Sequence, residues 1–258
     1  ICSRRQEKVD ETLAELVQYP GKIIGGAADI TDQSGFQQWL NGVADELGGI
    51  DIFVANVSPM SGKWEKTVNT DILSTVSSID AALPWLKQSS AGSIIYISSM
   101  AGVIGTPQLP SYGAAKAAMT HYMKTLSMSL FKEGVRVNAV SPGDIIFEGG
   151  NWDNLRINNP DAFKHVLKRN PRGSLGTPDE IAKVVTFLSS PMASLVNGAH
   201  LVVDGGSTDD TTEIAAPHCD QLISAPRGRA LQLNAGARIA RGAILWFLHA
   251  DTTFAEGA

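Results

Sequence analysis

The sequence predicts a doubly wound α/β domain built on a parallel sheet. Short apolar runs at Ile50 to Ser58, Ile94 to Ile97 and Val135 to Gly143 have the length and apolar character of strands buried on both faces. Segments with apolar residues at helical spacing lie between them, and that alternation is the mark of βαβ units. The 258 residues, 43% hydrophobic, suffice for one large α/β domain or one and a half ordinary ones.

Taken in order, Ile1-Cys2-Ser3 reads as the tail of a strand, and Arg5 to Leu16 repeats Val9, Leu13 and Leu16 at helical spacing. Lys22 to Ala27 is a short strand; Thr31 or Asp32 then caps a helix whose stripe of Phe36, Trp39, Leu40, Val43 and Leu47 faces a core. Ile50 to Ser58 is a strand running into a loop, followed by a long buried helix with Ile72, Val76, Ile79, Leu83 and Leu86 on one face. After Ile94 to Ile97 a further helix carries Met119, Met123, Leu126 and Leu130. Val135 to Gly143 is the next strand and its turn. Glu148 to Asn170 is polar and rich in Gly, Asn and Pro, which suits a gate beside a site or an ordinary loop. Thr177-Pro178-Asp179-Glu180 is a capping box with proline at the first helical position. It opens a helix from Ile181 to Leu188, and Gly198 to Gly206 reads as a closing strand.

The chemistry concentrates between Ser99 and Lys116. Tyr112 and Lys116 are four residues apart at the start of a helix, so they share a face with one turn between them. An ammonium that close favours the phenolate, and a phenol that ordinarily titrates near ~10 is expected to move toward neutral pH. Ser99 follows a buried strand, so its hydroxyl is expected in the crevice at the strand's carboxyl end, where open α/β sheets bind ligands. A hydroxyl, a phenol and an ammonium that can meet one carbonyl are expected to polarise it and exchange a proton with it, as hydride transfer to that carbonyl requires.

These residues resemble the signature of the short-chain dehydrogenase/reductase family: Ser99 thirteen positions before a Tyr112-x-x-x-Lys116 pair in the context Ser-Tyr-Gly-Ala-Ala-Lys. The resemblance covers residues 1–206 and implies a Rossmann-like sheet lacking its first strand. In the family that first unit carries a Gly-x-x-x-Gly-x-Gly turn that cradles the cofactor pyrophosphate, and it would precede Ile1. The implied activity is interconversion of a small-molecule carbonyl and an alcohol. Ser99, Tyr112 and Lys116 would be catalytic, and Asn69 would kink its helix and hold a relay water.

The resemblance also implies a nicotinamide cofactor. Ser3, Arg4 and Arg5 stand beside the adenosine ribose, where guanidinium favours a 2′-phosphate; NADP(H) is expected in preference to NAD(H), although two arginines also suit a solvated helix start. Asp29 and Ile30 would meet the adenine. Asn56 retains one residue of an adenosine-side motif in which Ser58 replaces glycine. Ile97 at the strand end, the Pro142-Gly143 turn and Ile145 would contact the nicotinamide side. Relatives of this kind are commonly homo-dimers or homo-tetramers.

Residues 207–258 have a different character. Val202 to Thr211, Pro226 to Ala230, Asn234 to Ala237 and Ile244 to Asp251 resemble the nucleotide-binding elements of family 2, GT-A type, glycosyltransferases, overlapping the reductase pattern at Val202 to Ser207. The segment is expected to form a small βαβ-like appendage. In that family Asp204 would contact the nucleoside, and Asp251 would hold a divalent metal if the tail binds a nucleotide sugar, with His249 in place of the first carboxylate of an Asp-x-Asp motif. Sugar transfer by this fragment, or a catalytically incomplete fusion, is the alternative to the oxidoreductase.

Composition limits the remaining classes. Net charge is -5 with a sequence pI near 5.5, so no broad basic surface invites nucleic acid or anionic lipid. No apolar run reaches the roughly 20 residues needed to span a bilayer, and the N-terminus lacks the pattern of a signal peptide. Two cysteines, Cys2 and Cys219, make no disulfide framework, and the scattered histidines make no metal site. A cytoplasmic location is expected.

Overall fold

The computed structural model describes residues 1–170 and 172–203. The chain divides into two units, one of Ile1–Phe147 with Gly176–Asp204 and a second that includes Glu148–Leu175. The expected βαβ-like appendage, with Asp204 and Asp251, lies outside the described residues.

In the first unit β1 (Cys2–Ser3) leads into α1 (Gln6–Leu16), and β2 (Gly26–Ala27) pairs with β1 in parallel. The strand expected over Lys22 to Ala27 shrinks to those two residues. In α2 (Gln33–Leu47) Phe36, Leu40 and Ala44 are buried, and of the two candidate caps it is Asp32 that accepts from the Gly35 amide at 3.0 Å. After β3 (Ile52–Ala55) one continuous helix runs through α3 (Trp64–Thr67), a π-helical stretch Val68–Ser74, and α4 (Thr75–Leu86). β4 (Ser93–Ile97) and the 21-residue α5 (Pro110–Leu130) follow, then β5 (Arg136–Pro142).

The second unit is where expectation and structure differ most. Glu148 to Asn170 is not an irregular loop: it contains α6 (Asn151–Asn158) and α7 (Pro160–Arg169). Asn159 caps α7 by accepting from the Ala162 amide at 3.1 Å, with Pro160 at the first helical position. The local caps prevail over a weakly apolar composition. Back in the first unit, α8 (Pro178–Ser189) opens on the anticipated capping box, the Glu180 carboxylate accepting from the Thr177 amide at 2.9 Å. β6 (His200–Val203) closes the described chain.

Strands β3, β4, β5 and β6 form one parallel sheet in that order, and β1 with β2 forms a separate parallel pair. Side chains alternate along each buried strand. Ile94 and Tyr96 of β4, with Val137 and Ala139 of β5, pack with Ile79, Leu86, Met119, Met123 and Leu126 of α4 and α5; Phe36 and Leu40 belong to the same cluster. Ile95 and Val140 point the other way and meet Leu188 of α8. Helices thus cover both faces, the arrangement expected of a doubly wound sheet.

One buried cation ties α8 to this sheet. Arg136, 8% exposed at the start of β5, donates to the carbonyls of Leu188 at 2.7 Å, Ser189 at 3.1 Å and Ser190 at 3.2 Å. These are the terminal carbonyls that a helix leaves without partners, and a positive charge there also opposes the helix dipole. Replacing Arg136 with methionine keeps the bulk but strands those acceptors; unfolding in denaturant should show a loss of about 2–4 kcal/mol, and an unchanged midpoint would contradict this role.

Candidate active site

β4 ends on Ile97, and the backbone continues its ladder for one residue as the Ser98 amide donates to the Val140 carbonyl at 2.7 Å. Ser99 then caps a short 3₁₀ turn, Met100–Gly102, its hydroxyl accepting from the Ala101 amide at 3.1 Å. This turn packs closely against α5. A Cβ on Gly113 would stand 2.6 Å from the Ala101 carbonyl oxygen, and one on Gly102 would stand 2.9 Å from the Ala117 nitrogen. The two glycines are what let Ser99 approach the first turns of α5, which carry Tyr112 and Lys116.

Lys116 is 3% exposed. Its ammonium donates to the Ile97 carbonyl at 2.8 Å and lies 4.9 Å and 5.6 Å from the ring centres of Tyr96 and Tyr112, within cation–π range. Burial pulls its pKa down to about 8, opposed by the charge of Asp71. Tyr112 is 7% exposed. The expectation that the lysine brings this phenol toward neutral pH is not met. Burial pushes the phenol above its ordinary value, the Ser99 hydroxyl pulls it back, and Asp71 adds to the rise. Spacing placed the cation correctly on the helix face, but it is blind to desolvation and to a carboxylate on another helix.

That carboxylate is the main residue missed. Asn69 is exposed, and its carbonyl accepts from the Ser74 hydroxyl at 2.8 Å. The side chain facing α5 is Asp71, two residues further on, with its Oδ1 4.0 Å from the Lys116 nitrogen. The π-helical stretch sets this rotation: Ser74 bonds back to the Asn69 carbonyl and Thr75 to the Thr70 carbonyl at 3.2 Å, each five residues earlier, in the wider turn typical of such bulges. A signal was present. Thr67, Asp71, Thr75 and Ser78, spaced by three or four, form a buried polar stripe alongside the apolar one, and Asp71 is its charged member.

The proposed cofactor residues divide. Ser3, Arg4, Asp29 and Ile30 line a cavity of about 160 Å³ at the carboxyl ends of β1 and β2, together with Ser58, Lys66 and Thr70. Arg5, which precedes α1, and the exposed Asn56 are not among the lining residues. Asp29 accepts from the Thr31 amide at 2.9 Å and hydroxyl at 2.7 Å, and these bonds, aided by the charge of Arg4, hold its carboxyl below the usual range. At the other end, the Ile97 carbonyl is occupied by Lys116. Pro142 closes β5, and the Gly143 amide donates to the Val203 carbonyl at 2.9 Å. Ile145 forms a parallel bridge with Gly176 through bonds of Ile146 and Asp144, which leave the Ile145 amide and carbonyl out of that bridge.

Comparison with known proteins agrees with this architecture. A family model described as enoyl-(acyl carrier protein) reductase matches residues 1–208. Isoepoxydon dehydrogenase of Penicillium expansum is 37% identical over 191 residues, 72% of this chain and 74% of its own. The structure of ElxO with NADP bound superposes with a TM-score of 0.72 at 28% identity, covering 80% of this chain and 86% of that one. NAD+-bound xylitol dehydrogenase gives 0.74 at 21% identity over 80% and 87% of the two chains. A glycosyl transferase family 2 model matches residues 177–258; within that stretch the described residues form α8 and β6, whose strand belongs to the parallel sheet.

The contact of the Ser99 turn with α5 leads to a direct test. Gly113→Ala forces the two apart, at about 1–3 kcal/mol of stability, and a displacement on the order of 1 Å should reduce turnover by ~10². Thermal unfolding and steady-state rates separate the two effects, and an alanine variant with full activity would show that the close approach is not required.

Proposed function

The chain belongs to the short-chain dehydrogenase/reductase family of oxidoreductases, and we propose that it interconverts a small-molecule carbonyl and an alcohol using NADP(H). The observation that carries this reading is the convergence of Ser99, Tyr112 and Lys116 at the carboxyl end of β4, through one backbone carbonyl and two glycine contacts. When bound, the reduced nicotinamide supplies a hydride to the carbonyl carbon. The Ser99 hydroxyl donates to the carbonyl oxygen and withdraws charge from it. As the carbon is reduced, the Tyr112 hydroxyl delivers its proton to the same oxygen, giving an alcohol. Lys116 supports the phenolate that remains until it is reprotonated from solvent.

The adenosine end favours the phosphorylated nucleotide. Two cations, Arg4 and Lys66, and one carboxylate, Asp29, line the cavity, and Oδ1 of Asp29 is already engaged by Thr31. A cavity in which positive charge exceeds negative suits a 2′-phosphate better than a 2′-hydroxyl. Ser3, Arg4 and Lys66 would hold that end, with Asp29 and Ile30 at the base, while Pro142, Gly143 and Ile145 would hold the nicotinamide. Among the described residues no helix is long and apolar enough to cross a membrane.

The reaction is followed at the absorbance band of the reduced nucleotide with a panel of ketones. Tyr112→Phe should lower turnover by ~10²–10⁴ with the fold intact, and a phenylalanine variant that retains full turnover would reject the assignment. Because the phenol is raised above its ordinary value, it stays protonated through neutral pH. Carbonyl reduction should therefore hold level at neutral pH and decline as pH rises above about 8, where Lys116 and then the phenol give up their protons, whereas alcohol oxidation, which needs the phenolate, should increase with pH. Arg4→Ala should raise the KM for NADPH roughly tenfold or more while leaving that for NADH little changed; equal effects on both would place the 2′-phosphate elsewhere.

A further inference from the structure

Asp71 is fully buried, and neither of its carboxylate oxygens has a hydrogen-bond partner among the described residues. The titratable groups that face it are Lys116 and Tyr112 from α5 and Tyr96 from β4. Burial pushes the carboxyl above its usual range; Ser58, from the segment after β3 and outside hydrogen-bond geometry, and the charge of Lys116 draw it back. A carboxylate deprived of both water and hydrogen bonds is costly, and the opposite charge beside it is the Lys116 ammonium, 4.0 Å away. The Tyr96 hydroxyl is likewise buried without a partner among the described residues.

We propose that Asp71 is a positioning residue, the fixed counter-charge of Lys116, which keeps the Tyr112–Lys116 pair protonated to higher pH and thereby biases the site toward carbonyl reduction. The proposal rests on the reading of Tyr112 as the proton donor. Its sign does not depend on which of the two partners loses a proton first. A negative charge added to a cluster of titrating groups makes every proton in that cluster harder to remove. Removing the charge should therefore release the first proton at lower pH, whether it leaves from oxygen or nitrogen. The π-helical stretch is what delivers this charge, since it turns position 71 rather than 69 toward α5.

Asp71→Asn removes the charge and nearly keeps the shape. Two readouts decide the matter. In the first, the tyrosinate absorbance of Tyr112 is isolated by subtracting the titration of the Tyr112→Phe form, in the presence and absence of Asp71→Asn. It should appear about one pH unit lower in the asparagine background. In the second, the alkaline limb of carbonyl reduction should move down by a similar interval, with Asn69→Ala leaving it in place. An Asp71→Asn form that loses rate or stability while both titrations stay where they were would assign Asp71 a structural role only and overturn the proposal. If the asparagine form does not fold, Asp71→Ser should give the downward shift and Asp71→Glu should restore the original limb. A shift of the absorbance titration in a protein that reduces no carbonyl would reject the functional reading and keep Asp71 as the counter-charge; active enzyme with an unmoved titration would do the reverse.

Discussion

The site depends on one buried hydrogen bond, from the Lys116 ammonium to the Ile97 carbonyl. An ammonium withdrawn from water must be paired, and this one is paired with the last carbonyl of a central strand. The bond therefore joins the carboxyl end of β4 to the first turns of α5. Tyr112 lies one helical turn before the lysine, and Ser99 two residues past the carbonyl, so both acquire their positions from the same contact. At the opposite end of the sheet, where Ser93 pairs with Arg136, a second buried cation does comparable work by holding the end of α8. The two cations secure helices on opposite faces of one parallel sheet.

Electrostatics at the site run against simple expectation. A lysine beside a tyrosine ordinarily promotes the phenolate, but here both groups are dry and a carboxylate stands close to the lysine. Burial weakens the ammonium and the phenolate alike, and the charge of Asp71 supports the former at the expense of the latter. The helix that carries Asp71 departs from α geometry only where it passes the site, and hydroxyl side chains bonding five residues back sustain that departure. Local backbone irregularity is thus coupled to the charge that α5 experiences.

Membership of an oxidoreductase family makes the division of labour intelligible. Ser99, Tyr112 and Lys116, the groups proposed for proton transfer, come from the end of β4 and from α5, whereas the cavity with Arg4, Lys66 and Asp29 comes from the ends of β1 and β2 and from the helix that follows β3. The two sets are held by different pairs of elements. On the proposed reading, nucleotide preference could change at one end without disturbing the chemistry at the other.

Much of this was legible in the residues themselves. The alternation of Ile94 to Ile97 with helical stripes sufficed for a doubly wound sheet, because periods of 2 and 3.6 are local properties of the backbone. The interval from Ser99 to Tyr112 and Lys116 sufficed to bring those three residues to one place at the end of β4, and the Thr177 capping box and the Asp32 cap were local too. Tertiary structure alone decided whether Asn69 or Asp71 faces the lysine, since a bulge of one residue rotates everything beyond it. It also decided which way the phenol titrates, and that Asn56 and Arg5 do not line the cavity while Lys66 does. Hydrogen bonds and periodicity within a few residues can be read along the chain; desolvation, and charges brought together by different elements, exist only after the chain has folded.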